Sequence, residues 1–273
     1  MSVFRAIVVS IVVVGALALA ALGHPARAQE RAVDLDTRPG VKMRALLNVP
    51  ADPVGSVILL AGGHGHLNLG PDGRIGWGAG NHLVRTRAAY VRAGFAVAVP
   101  DVADDLKVSP PKAVYRASEK HAVDLGALTL YMRQIKAPVW IIGTSYGTIS
   151  AANAVARLDG PTRPDGMVLS SGMLMHKSLA GNAHSVERSV RLERLNVPTL
   201  FVHHQQDGCA HTPAADVPRL RALLTRAPKT EVFLFSGGEN RGDPCEPGAH
   251  HGFNGIEGEV VAKTVAWLKA NGP

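Results

Sequence analysis

Short runs of apolar and β-branched residues recur along this chain, and segments with helical spacing separate them. The runs lie at 57–60, 95–99, 139–142, 166–170, 199–202 and 231–235. A run that is apolar at nearly every position suits a strand that is buried on both faces of a parallel sheet. The extended segment 41–49 precedes these runs and predicts an antiparallel strand at the start of the sheet.

Helical spacing of apolar residues fills the intervals between the runs. It predicts helices at 82–92, 113–135, 149–158, 186–195, 218–226 and 256–270, with Pro138 stopping the second of them. Strands that alternate with helices predict an α/β fold, a mostly parallel, doubly wound sheet with helices on both faces. In such a sheet, functional residues collect at the carboxyl ends of the strands.

The N-terminal segment has the features of an export signal. Arg5 precedes the unbroken apolar stretch 6–23, and Ala26-Arg27-Ala28 then forms a small-x-small cleavage site. An uncleaved membrane anchor is the alternative, although the stretch is short for a spanning helix. We therefore expect a signal peptide at 1–28, a single domain at 29–273, and a bacterial protein that is periplasmic or secreted and free of the membrane.

Charge and cysteine content indicate which class of partner the protein binds and whether it carries a disulfide. The net charge of +7 falls to +5 once Arg5 and Arg27 leave with the signal peptide. The basic residues are scattered without interleaved aromatic residues, which argues against nucleic acid as a partner and leaves a small molecule. Cys209 and Cys245 form an even pair, which predicts a disulfide in an oxidising compartment. The alternative, thiol chemistry, lacks a Cys-x-x-Cys or Cys/His signature.

The segment Gly143-Thr144-Ser145-Tyr146-Gly147 carries the main chemical signal. It ends the apolar run 139–142 and precedes the helical segment 149–158. A strand, a Gly-x-Ser-x-Gly turn and a helix in this order are typical of a nucleophile elbow, in which the serine hydroxyl projects from the top of the sheet. The glycines leave room for the neighbouring strand and helix. The alternative is a buried serine in a glycine-rich turn.

A serine hydroxyl needs a base to take its proton and an acid to orient that base. Asp207 follows the run 199–202, and His251 lies shortly before the last helix. The order Ser, Asp, His along the chain is the order found in α/β-hydrolases. Glu239 is the alternative acid and His250 the alternative base.

These segments together resemble the α/β-hydrolase superfamily, close to its small, lid-poor esterases and dienelactone-hydrolase-like members. The resemblance spans roughly 41–268 and rests on 143–147, Asp207, 251–253 and the glycine-rich segment 62–65. It implies Ser145 as the nucleophile, Asp207 as the orienting acid and His251 as the general base.

The resemblance also implies an oxyanion hole that is made of two backbone N–H groups. One belongs to Tyr146, the residue after the serine. The other comes from the loop after an early strand, at Gly63 or His64. Acyl transfer in this family needs no cofactor, so none is expected.

Two long connections, 62–80 and 236–255, follow strands; the first is rich in glycine, and each carries two histidines. Connections of this length in a compact domain are usually functional. The candidates for substrate contact that lie in them or at a strand end are His66, Trp77, His204 and His250. A metal site is not expected, because no carboxylate sits at ligand spacing and His203 and His204 should point to opposite faces of their strand.

The expected function is therefore that of an exported serine hydrolase that cleaves a small ester. The segment 172–198 is too short for a large lid, which argues for a small or surface-presented substrate. A disulfide between Cys209 and Cys245 would tie the loop of the acid to the loop of the base. The alternatives are a peptidase or amidase with the same triad, a non-catalytic member of the fold and a metal-dependent hydrolase. The sequence defines no oligomeric state.

Overall fold

The computed structural model of the chain describes residues 29–108, 113–177, 181 and 183–272, so the predicted signal peptide at 1–28 lies outside the described residues. The described residues form one eight-stranded sheet. Its strands are β1 (Arg31–Arg38), β2 (Val41–Asn48), β3 (Gly55–Leu60), β4 (Phe95–Pro100), β5 (Val139–Thr144), β6 (Gly166–Ser170), β7 (Thr199–His204) and β8 (Thr230–Phe235).

The strands lie side by side in the order β1-β2-β4-β3-β5-β6-β7-β8. In this order, the six strands from β4 to β8 are parallel to one another. Only β1 and β2 run antiparallel to their neighbours. The central strand β5 shows why its sequence is apolar throughout: Val139 and Ile141 pack into the core on one face, and Trp140 and Ile142 pack into the core on the other. The predicted mostly parallel, doubly wound sheet is confirmed.

Helices cover both faces of the sheet. They are α1 (His82–Arg92), α2 (Glu119–Ile135), α3 (Gly147–Arg157), α4 (Val186–Ser189), α5 (Asp216–Leu223) and α6 (Glu257–Asn271). Apolar residues of α2, α3, α4 and α5 fill one core, whereas those of α1 and α6 fill the other. None of the helices in the described part of the chain combines the length and the apolar character that crossing a membrane requires.

Three elements differ from the prediction. Strand β1 was not predicted, because only Ala32, Val33 and Leu35 of its eight residues are apolar, and it is stabilised by pairing with β2 and by the ion pair between Asp34 and Arg44. The helix predicted at 113–135 begins only at Glu119, where the Ser118 side chain caps it, and a 3₁₀ turn, Ala113–Ala117, precedes it. The helix predicted at 186–195 is the short α4 followed by a second 3₁₀ turn.

Candidate active site

Ser145 occupies the tight turn between β5 and α3. Its φ angle is +53°, a left-handed conformation that is strained for a residue with a side chain. The backbone N–H of Ser145 donates to the carbonyls of Ser170 and Ser171, at 3.0 and 3.1 Å, which holds the turn against β6. A Cβ atom at Gly143 would lie 2.2 Å from the Gly147 carbonyl oxygen, and one at Gly147 would lie 2.5 Å from a carbonyl of β3. The two glycines are therefore a steric requirement of this turn.

Asp207 and His251 form a hydrogen-bonded pair across two loops. Asp207 follows β7, and His251 lies in the 3₁₀ turn His250–Gly252 ahead of α6. The Nδ1 atom of His251 donates to Oδ2 of Asp207 at 2.9 Å. Because an ionised carboxylate can only accept, the proton sits on Nδ1 and the lone pair on Nε2. The histidine is thus set up to take a proton at Nε2.

The Asp207 carboxylate is buried and surrounded by donors. Thr212 donates its hydroxyl to Oδ2 at 3.0 Å, Nε2 of His203 lies 3.3 Å from the same oxygen, and the N–H of Cys209 donates to Oδ1 at 2.9 Å. Burial raises the pKa of Asp207, but the interactions with His203 and His251 outweigh it and hold this pKa well below its usual range. The Asp207 carboxylate is therefore ionised at neutral pH.

The alternative acid and the alternative base lie elsewhere. Glu239 is exposed and pairs with Arg241 at 2.8 Å. The His250 ring stacks on His204 with 4.2 Å between ring centroids, and its Nδ1 lies 3.2 Å from the Gln206 carbonyl. Neither residue contacts the Asp207–His251 pair through a hydrogen bond, so the geometry favours Asp207 over Glu239 and His251 over His250.

Ser145 and His251 line the same open cavity of about 310 Å³. Both long connections contribute to its wall, as do the turn at Thr144 and the start of α1. The lining residues are Gly62, Gly63, Trp77, Gly78, Gly80, Asn81, His82, Thr144, Ser145, Cys245, Glu246, Pro247, His251 and Gly252. Among the described residues no hydrogen bond yet joins the Ser145 hydroxyl to His251, and catalytic hydrogen bonds of this kind are often long before a substrate binds.

The structure places the predicted oxyanion-hole residues around the turn of Ser145. Tyr146 is the N-terminal cap residue of α3, where backbone N–H groups have no acceptor within the helix. Gly63 lines the cavity and has a φ angle of +55°. The ring of His64 packs against Trp77 at an angle of 33°, with 3.7 Å between ring centroids. A Cβ atom on Gly62 would lie 3.0 Å from Cβ of Ser145, so this loop passes directly beside the serine.

The four candidates for substrate contact divide into two groups. Trp77 lines the cavity and is 40% exposed, so its indole is open to a bound molecule. His66, His204 and His250 do not line the cavity. His204 is buried, and its Nε2 lies 2.9 Å from the Gly237 carbonyl. The structure therefore brings Trp77 to the site and uses His204 to hold the loop after β8.

The predicted disulfide is present and joins Cys209 to Cys245. Cys209 lies two residues after Asp207, and Cys245 lies six residues before His251 and lines the cavity. The bridge therefore connects the loop that carries Asp207 to the loop that carries His251.

Four residues near the site were missed by the sequence reasoning. Thr212 is fully buried between Asp207 and His251, whose Nδ1 lies 3.1 Å from its hydroxyl oxygen. Asn81, His82 and Glu246 line the cavity. Burial lowers the pKa of His82 to about 3, so its ring is neutral at physiological pH. No sequence motif marks these positions, because each lies in a segment that is typical of a helix start or a loop.

The clustered histidines do not form a metal centre in the part of the chain that the structure describes. No group of three or more His, Cys, Asp or Glu side chains there is arranged to hold an ion. The two adjacent histidines of β7 point apart: Nε2 of His203 lies 2.8 Å from the Thr212 carbonyl, whereas Nε2 of His204 faces the loop after β8.

Comparison with solved structures identifies the architecture. The esterase Pf2001 of Pyrococcus furiosus superposes with a TM-score of 0.62 at 12% identity, covering 89% of this chain and 93% of that chain. The dienelactone hydrolase of Anabaena variabilis gives a TM-score of 0.55 at 16% identity, covering 90% and 100%. TT1662 of Thermus thermophilus gives 0.57 at 18% identity, covering 89% and 98%. At sequence identities of 12–18%, the structural similarity establishes the fold of the chain.

No protein-family model matches the sequence, and no curated protein matches it either.

Proposed function

We propose that this chain, which has the α/β-hydrolase fold, is a serine hydrolase that cleaves small carboxylic esters through an acyl-enzyme on Ser145. One observation carries the proposal. A hydrogen-bonded Asp207–His251 pair shares a single cavity with a serine whose backbone is held in a strained elbow. Strain of this kind is maintained by surrounding contacts and clusters at functional sites.

In the proposed reaction, the Ser145 hydroxyl attacks the ester carbonyl while Nε2 of His251 takes its proton. The tetrahedral intermediate collapses to the acyl-enzyme, and His251 returns the proton to the departing alcohol. Water then attacks the acyl group by the same route, which frees the acid and restores Ser145. Asp207 remains ionised throughout and stabilises the imidazolium, in keeping with its lowered pKa.

The negative charge on the carbonyl oxygen needs donors that are already in place. We assign this task to the N–H of Tyr146 and to that of Gly63 or His64. Removing one donor of an oxyanion hole commonly costs about 3–4 kcal/mol of transition-state stabilisation. The position of Tyr146 at the start of α3 adds the positive end of the helix dipole at the same place.

A small ester fits the shape of the cavity. Its volume of about 310 Å³ is at the lower end of the range for small-molecule sites. None of the described residues between 172 and 198, the segment that would build a lid, lines the cavity. Trp77 offers an aromatic surface at the mouth, which favours an acyl or aryl group of modest size.

We also propose that the protein works in the bacterial periplasm or outside the cell. The predicted signal peptide and the disulfide support this proposal, because disulfides persist in oxidising compartments.

Labelling with a fluorophosphonate probe tests the proposed function. The wild-type domain is expected to be labelled, and Ser145→Ala is expected to lose all labelling, because the probe reacts only with an activated serine. Ser171→Ala is the matched control: this serine lies beside the elbow, but its hydroxyl is buried, so its removal should leave labelling intact. A folded wild-type protein that resists labelling would refute the proposal. Labelling that survives in Ser145→Ala would refute the assignment of the nucleophile.

The double variant Cys209→Ser with Cys245→Ser is expected to lose activity before it loses its fold. The bridge closes a loop of 36 residues, for which chain entropy predicts a stabilisation of about 4 kcal/mol. Because it also joins the acid loop to the base loop, we expect kcat to fall by about 10–100-fold in the folded variant, the cost of misplaced groups. Turnover and circular dichroism measured on the same sample check this. Unchanged turnover in the folded variant would contradict it.

A further inference from the structure

Arg116 is a buried cation that makes no ion pair with any carboxylate of the described residues. It is 2% exposed, and burial lowers its pKa. Its Nη2 atom donates to the carbonyl oxygens of Ala61, Gly62 and Gly63 at 2.8, 3.2 and 3.0 Å, and Nη1 donates to the Ser150 hydroxyl at 3.0 Å. Burying a guanidinium without a counter-charge costs free energy. Holding a loop does not by itself require a charged side chain, so the position of Arg116 indicates a further role.

The neighbouring residue continues the same pattern. The hydroxyl of Tyr115 donates to the His64 carbonyl at 2.8 Å, so two adjacent side chains hold four consecutive carbonyls of the loop after β3. Gly65 follows these four residues and has no room for a side chain. A Cβ atom there would lie 2.3 Å from Nη2 of Arg116 and 2.7 Å from the Tyr115 hydroxyl, so the loop and the two side chains are in close contact.

The direction of these carbonyls fixes the direction of the N–H groups. In a planar trans peptide, the C=O of one residue and the N–H of the next point in opposite directions. Carbonyls of Ala61, Gly62 and Gly63 that face Arg116 therefore turn the N–H groups of Gly62, Gly63 and His64 away from it. Gly62 and Gly63 line the cavity, and Gly62 passes beside Ser145. Successive N–H groups that face one side form a concavity that suits an anion.

We propose that Arg116 is the positioning residue of the oxyanion hole. Its guanidinium locks the N–H groups of the 62–64 loop towards Ser145, and its charge polarises the same peptide groups from their carbonyl ends. Both effects favour negative charge on the substrate oxygen in the transition state. The inference rests on the proposed function, since it assigns a role in acyl transfer at Ser145.

Steady-state kinetics with p-nitrophenyl acetate test the inference in Arg116→Met and Arg116→Lys. Arg116→Met is expected to lower kcat by about 100-fold, the effect of losing an oxyanion donor, and to leave KM within about threefold. The inhibition constant of a short alkyl boronic acid, which forms a tetrahedral adduct with serine, should rise by a similar factor. Arg116→Lys keeps the charge without the fork of donors and should fall between Arg116→Met and wild type.

Arg133→Met is the matched control. Arg133 also donates to loop carbonyls, those of Pro161 and Arg163, and unlike Arg116 it pairs with a carboxylate, that of Asp165 at 2.8 Å; this loop lies away from the cavity. Its loss should lower the melting temperature without changing kcat of the folded protein. If the Arg116 variants likewise lose only stability, with kcat and the boronic acid affinity unchanged, the inference is overturned.

Amide NMR of the wild-type protein tests the premise of the inference, that the 62–64 N–H groups bind the oxyanion, even if the Arg116 variants fail to fold. After phosphonylation of Ser145, the amide proton of at least one residue among Gly62, Gly63 and His64 should move downfield through its bond to the phosphonyl oxygen. Unshifted amide protons at all three positions would overturn the inference. A wild-type protein that cannot be phosphonylated would instead refute the proposed function, and the role of Arg116 with it.

Discussion

His251→Gln is expected to lower kcat for a small ester by about 10⁶-fold, the loss that follows removal of the general base from a Ser-His-Asp triad. Glutamine preserves much of the side-chain volume and can donate to Asp207, but it cannot take a proton from Ser145. KM should change little, because the imidazole acts on the reacting proton rather than on substrate binding. Turnover of p-nitrophenyl acetate by the purified variant, followed over hours, provides the measurement.

His250→Gln is the matched control for this experiment. The two histidines are adjacent in sequence, but His250 stacks on His204 and faces the Gln206 carbonyl rather than the cavity. Its replacement should leave kcat within about threefold of wild type. A large loss in His250→Gln with activity retained in His251→Gln would show that the base had been assigned to the wrong histidine.

Asp207→Asn is expected to lower kcat by about 10⁴-fold, because an amide in place of the carboxylate favours the wrong tautomer of His251 and removes the charge that stabilises the imidazolium. The structure adds a second reason. Oδ2 of Asp207 also accepts a hydrogen bond from Thr212 and faces Nε2 of His203. An amide NH₂ group at this position is itself a donor, so it would face these donors and could not accept from them. The measurement is kcat as a function of pH, together with the urea unfolding curve of the variant.

Glu239→Gln separates the two candidate acids. Glu239 is paired with Arg241 at the surface, and an exposed ion pair of this kind contributes at most about 1 kcal/mol to stability. We expect activity close to that of wild type. An activity loss confined to Glu239→Gln would rule out Asp207 as the orienting acid.

Much of the fold could be predicted from the sequence, because its signals are local. The apolar run before Gly143 marks a strand that is buried on both faces, and the glycines around Ser145 leave a turn that few other residues could form. The bounds of α1 and β6 match the prediction for the same reason, since periodicity and breakers such as Gly94 act over a few residues. The mostly parallel order of strands follows from their alternation with helices.

The errors occurred where tertiary contacts override local preference. The segment 113–117 has helical spacing, yet it forms a 3₁₀ turn that carries Tyr115 and Arg116 inwards, under the loop after β3. Strand β1 has too few apolar residues to be recognised. Its pairing with the adjacent β2 makes it part of the sheet, and the ion pair between Arg38 and Asp124, which lie 86 positions apart in the sequence, fixes it against α2.

The sequence by itself determined the elbow at Ser145, the alternation of strands and helices, and a short set of candidates for acid and base, because sterics and periodicity are properties of neighbouring residues. Only the tertiary structure distinguishes the surroundings of these candidates. It brings Asp207 against His251 across 44 positions of the chain and directs Glu239 and His250 elsewhere. It also places Thr212 between the pair and Arg116 beneath the 62–64 loop. Hydrogen bonds between side chains and distant backbone leave no periodic trace in a sequence, so only the folded chain reveals them.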